Sequence, residues 1–130
     1  MEFPSLLESW LNDAARQLQP GVRAFAFNLF EPAGMEGVKY GVELIGSDRY
    51  ADSDDDWPCD EVWEPEPRAL AIPLAFSGSA WTDCLERVRG LLAQYVESPS
   101  GAWLTSAEAV AVGFVDGDLH RIWTASGKGA

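Results

Sequence analysis

Nineteen consecutive residues, Asp48 to Glu66 (DRYADSDDDWPCDEVWEPE), carry nine carboxylates and a single base, Arg49. Nine acids against one base give this stretch −8 of the chain's formal −12. Like charges at this density repel one another and oppose compaction. Any fold the chain adopts must therefore spread this segment over a surface or neutralise it from elsewhere. Trp57, Val62 and Trp63 interrupt the acids, whereas disordered acidic tails are poor in aromatic residues. The expectation is a folded acidic face held down by its aromatics.

The same charge narrows the partners. Duplex binding depends on Lys and Arg neutralising phosphates, so nucleic acid is excluded as a natural partner. Anionic membranes are excluded on the same grounds. A basic protein is the electrostatic complement. The 130 residues fit one domain, long enough to bury a core without a disulfide or metal staple. Residues 1–130 are accordingly read as one domain, with 48–66 irregular and 125–130 a frayed tail. MEFPSLLESW lacks the basic and apolar regions of a signal peptide, and no apolar run has the length of a membrane span. A cytoplasmic chain with Cys59 and Cys84 reduced is expected. No cofactor is implied.

Apolar spacing lays out the elements. Leu7, Leu11, Ala14 and Leu18 form a helical stripe after Pro4, with Ser5 and Glu8 spaced as a capping box. Gln19-Pro20-Gly21 stops that helix. Val22 to Phe30 is apolar on both faces, as a central strand is. Val38 to Ile45 alternates, Tyr40, Val42 and Leu44 inward and Lys39, Gly41 and Glu43 outward, until Ile45 breaks the pattern. Val62 and Trp63 suit a short edge strand among three prolines. Arg68 to Phe76 is a strand that Pro73 confines to an edge or a bulge. Trp81, Leu85, Val88, Leu92 and Tyr95 mark the stripe of the longest helix, Ala80 to Glu97. Ala107 to Val115 is a second central strand. Asp116-Gly117 signals a type I′ hairpin, and Leu119 to Thr124 returns with Leu119, Arg121 and Trp123 on one face. These elements make an α+β domain: an antiparallel or mixed sheet of about five strands with two helices packed on one face.

Two constellations bear on chemistry. Asp52, Asp54 and Asp56 alternate like the first ligands of a calcium loop, but Trp57 stands where that loop needs glycine and Trp63 where it needs glutamate. Asp116, Asp118 and His120 are spaced by two, so Asp118 and His120 share a strand face and suit a carboxylate–imidazole site, with or without a divalent metal. Neither cysteine has the basic neighbours of a nucleophile, and Cys84 beside the helix stripe reads as structural. Phosphate loops, dinucleotide glycine patterns and zinc spacings are missing.

Residues Tyr40 to Trp123, about two-thirds of the chain, resemble a group of small acidic bacterial proteins of uncharacterised or immunity type. YGVELIGSDRY, DDDWPCDEVWEPE, IPLAFSG ahead of a Trp-headed helix, and VAVGFVDGDL carry the resemblance. Immunity proteins bind a cognate toxin and block it, so the resemblance implies a neutralising partner protein; it assigns no site residue. The leading expectation is a non-enzymatic module that binds a basic protein through Asp52, Asp54, Asp55, Asp56, Trp57, Asp60, Glu61 and Trp63, the indoles supplying contact. The alternatives are an enzyme or small-ligand binder using Asp116, Asp118 and His120, and a structural homo-oligomer closed over exposed tryptophans.

Overall fold

The computed structural model describes residues 2–51 and 53–125. Asp52 and residues 126–130 lie outside them, and with them most of the expected tail. Ala125 is held, its N–H donating to the Glu108 carbonyl at 2.9 Å.

Ten elements follow in order: α1 (Phe3–Arg16), β1 (Ala24–Phe30), β2 (Val38–Ser47), β3 (Glu61–Trp63), β4 (Ala69–Pro73), α2 (Leu74–Ser77), α3 (Trp81–Glu97), α4 (Ala102–Thr105), β5 (Ala109–Phe114) and β6 (His120–Thr124). The strands form one six-stranded mixed sheet in the order β3-β2-β1-β5-β6, with β4 also on β2. β1 runs antiparallel to β2 and parallel to β5. Because β1 occupies one side of β2, β3 and β4 share the other, β3 beside Gly46 and Ser47 and β4 beside Val38 to Glu43. The doubly apolar strands, β1 and β5, are central, as their sequences require.

The α+β class holds, with α1 and α3 on one face. Phe25, Phe27 and Leu29 of β1 meet Tyr40, Val42 and Leu44 of β2 there, beneath Leu7 and Leu11 of α1 and Val88 and Leu92 of α3. The opposite face is built for a thin cover. It presents Ala24, Ala26, Ala109 and Ala111, and Trp57 from the acidic segment packs on them with Ile45. Ile45 broke the polar alternation of β2 for this reason: its face is wet near Glu43 and covered by an indole two residues on. Gly41 faces the same way, and a Cβ there would come within 2.8 Å of the Phe30 ring.

Several local expectations are corrected. Ser5 and Glu8 form no capping box, because Phe3 and Pro4 are already helical and the cap is Glu2. The hairpin turn closes at Val115-Asp116, Gly117 N–H donating to the Phe114 carbonyl at 2.9 Å, and Gly117 is not among the left-handed glycines a type I′ turn needs. Leu119 and Trp123 do not share a face. A bulge between Val110 and Ala111 sends Trp123 to the helix side and Leu119 to the alanine side. The strand expected through Phe76 stops at Pro73 and turns into α2. No helix among the described residues is long and apolar enough to cross a membrane.

Candidate functional site

The acidic segment begins where β2 ends. Ser47, fully buried, donates its hydroxyl to the Trp57 carbonyl at 2.7 Å and accepts the Arg49 N–H at 3.1 Å. This folds the chain back behind the sheet. Trp57 then sits at 0 % exposure against the alanine face. The Tyr50 ring meets it edge-on, with centroids 5.3 Å apart and planes at 70°.

Arginines hold the charged shell around this plug. Arg49 pairs with Asp54 at 2.8 Å and with Asp60. Asp54 also accepts the Asp56 N–H at 2.7 Å. The Arg49 guanidinium first, and that N–H second, keep the Asp54 carboxyl below the ordinary carboxylate range. From β6, Arg121 reaches across to the Tyr50 hydroxyl at 2.9 Å, to Asp55 at 3.0 Å and to the Ala51 carbonyl at 3.3 Å. At the far end Arg68 binds Glu43 at 3.0 Å together with Glu61 and Glu64.

The segment's end is pinned to α1. Trp63 is 7 % exposed and donates Nε1–H to the Gln17 carbonyl at 3.1 Å. The Gln17 amide group brackets Glu66, accepting its N–H at 2.7 Å and donating to its carbonyl at 3.0 Å. Trp10 Nε1–H donates to the Pro67 carbonyl at 2.8 Å.

The expected partner-binding residues therefore divide. Asp55, Asp56, Asp60 and Glu61 are exposed and Asp54 is half-buried; Asp52 lies outside the described residues. Trp57 and Trp63 are inside, so neither ring reaches a partner in this conformation. Their expected role as contact anchors is corrected: they fix the segment to the body. Val62, 53 % exposed between them in β3, is the apolar side chain the segment does present. Asp48, Asp56 and Glu66 make no ion pair among the described residues. Three arginines against ten carboxylates, Glu43 and Asp52 included, leave the surface strongly negative.

The Asp116, Asp118 and His120 constellation is only partly assembled. Among the described residues no three His, Cys, Asp or Glu side chains gather as a metal site. Asp116 lies in the turn, while Asp118 and His120 line a groove of about 450 Å³. Phe114 completes that wall, and Trp81, Glu86 and Arg89 of α3 form the other. Sequence reasoning placed Trp81 at the head of the core stripe. It is instead 58 % exposed, because the buried line of α3 runs through Cys84, Val88, Leu92 and Tyr95 and leaves Trp81 on its flank, edge-on to Phe114 of β5.

Comparison with protein families, with curated proteins and with solved structures finds no match to this chain.

Proposed function

We propose that this chain is a non-enzymatic binding module that engages a basic protein through the surface of residues 48–66. The observation supporting it is the burial of Trp57 beneath a shell of exposed carboxylates. An acidic stretch serving only as a solubilising spacer needs no aromatic plug, no buried serine latch and no arginine from another strand. Here all three hold the segment in one arrangement. Fixed negative charge steers a cationic partner into encounter and sets its register, and Val62 offers an apolar contact within the charged field. Toxin neutralisation is the narrower form of this reading and makes basic toxins the first partners to test.

The test spares the scaffold. Asp48→Asn, Asp56→Asn and Glu66→Gln together remove three charges that make no ion pair among the described residues. Immobilised chain is expected to capture a basic protein from cell extract. The on-rate of that protein should fall with added salt, and fall several-fold in the triple variant, whose salt dependence should flatten. Capture of a neutral or acidic protein, or an on-rate the variant leaves unchanged, would overturn the reading.

A further inference from the structure

The groove between α3 and the β5–β6 turn is a second surface, and its argument stands apart from the acidic segment. Trp81 is the largest exposed apolar side chain of the described residues. It is not loose: its ring meets Phe114 edge-on, centroids 5.9 Å apart and planes at 87°, and Phe114 in turn packs on buried Tyr40 at 5.4 Å. The indole is thus braced from one side and open on the other. The opposing wall is equally set. A Cβ at Gly113 would come within 2.4 Å of the Asp118 carbonyl oxygen, so the chain carrying Asp118 crosses directly over β5, next to the Phe114 that Trp81 touches.

Two carboxylates, Glu86 and Asp118, face this space from opposite walls, with Arg89 the one guanidinium. Arg89 lies eight residues along α3 from Trp81, about 12 Å at the helical rise, and so belongs to the far end. It stands three residues from Glu86 on the same helix. The Trp81 end is left with an aromatic pair and Asp118, in a chain whose formal charge of −12 draws cations and repels anions. An indole face attracts ammonium and guanidinium groups through its quadrupole, and a groove of this volume admits a small ligand or one long side chain.

We propose that the Trp81 end of this groove binds an organic cation, an ammonium or guanidinium group carried on an apolar stem, with the indole against its face and Asp118 as counter-charge. The probes are tetraethylammonium, a doubly capped Ala-Arg-Ala peptide and benzoate, each titrated into the full chain and followed by the Trp81 indole N–H and His120 ring resonances. Saturable shifts with the cations and none with benzoate are expected. Trp81→Ala or Asp118→Asn should each weaken binding by about five-fold, a typical cation–π or exposed ion-pair contribution. Asp118→Asn, exposed in a loop, tests the idea if Trp81→Ala disturbs the fold. Tighter binding of the peptide than of tetraethylammonium assigns the cation to a partner's side chain; the reverse assigns it to a free small molecule. The triple variant Asp48→Asn, Asp56→Asn, Glu66→Gln should leave these shifts in place whether or not the acidic-face reading survives. No saturable shift, shifts that survive both groove variants, loss in the triple variant, or binding of benzoate instead would each overturn the proposal.

Discussion

Arg121, on the outermost strand, donates through Nε to the Tyr50 hydroxyl at 2.9 Å, joining the last strand to the start of the acidic segment. The same guanidinium lies 5.6 Å from the Tyr50 ring centroid and pairs with Asp55, while Tyr50 leans on Trp57. One cation thus holds a phenol, a carboxylate and, through the phenol, the indole that plugs the sheet. Exposed ion pairs contribute little, but Arg121 is three-quarters covered and has several acceptors. Arg121→Ala is expected to cost about 1–3 kcal/mol. Hydrogen exchange should show the loss confined to residues 49–60, with α1 and α3 protected as before. Uniform loss of protection would mean that the segment does not open on its own.

Trp57 carries the larger share of that hold. It is fully buried, and its Nε1–H is a buried donor without an acceptor among the described residues. The ring's contribution is therefore apolar burial and fit, offset by a stranded polar group. Trp57→Ala is expected to destabilise by about 3–5 kcal/mol. Trp57→Phe should cost far less than half of that, since it keeps an aromatic plug and removes a donor whose desolvation opposes folding by about 1–3 kcal/mol. Equilibrium urea unfolding of the two variants checks the ratio. A phenylalanine as costly as alanine would show that the N–H is well satisfied.

The periodic elements were legible because their signals are local. β1 and β5 declare themselves central by two apolar faces, and α3 by its stripe. Legibility failed where a second element decided the outcome. Trp81 has the spacing of a core residue, yet the line of α3 that the sheet buries begins at Cys84 and leaves Trp81 on its flank. Leu119, Arg121 and Trp123 alternate faithfully, and only the bulge opposite Val110 and Ala111 divides them. Ile45 carries a subtler signal. An apolar residue on an otherwise polar face asks what covers it, and the acidic segment holds the matching indole twelve residues on, at Trp57. That Arg68 and Arg121 would neutralise the segment from outside was unreadable, since charge pairing over such separations leaves no periodic trace. Asp118 and His120 did converge on the groove, without Asp116, and among the described residues no three such side chains gather as a metal site.

The two cysteines should separate cleanly in reactivity. Cys84 is wholly buried on the inner face of α3, where burial pushes its thiol up to about 11. At pH 8 almost none of it is thiolate, and the reacting species is the thiolate. Cys59 is exposed in the segment behind the sheet. Titration with an aromatic disulfide reagent is expected to modify one thiol in the native protein and the second only on unfolding. Cys84→Ala should leave the fast phase unchanged. Rapid native labelling of both thiols would place α3 among the readily opening parts of the fold.

Acid should release the segment in a defined window. Arg49, and after it the Asp56 N–H, hold the Asp54 carboxyl below its ordinary 3.8. A carboxyl whose folded pKa is depressed stabilises the fold at every pH above its unfolded value, and that contribution is lost as pH falls through the folded one. Asp54's share is thus constant from neutrality to about pH 4 and declines below it. Asp54→Asn keeps a side-chain oxygen for the Asp56 N–H but removes the charge that Arg49 faces. The near-ultraviolet dichroism of the Tyr50–Trp57 pair should weaken below pH 4 in the parent. In Asp54→Asn it should start lower at neutral pH and change less on acidification. A transition midway between pH 5 and 7, or one identical in both proteins, would mean that another group governs the latch.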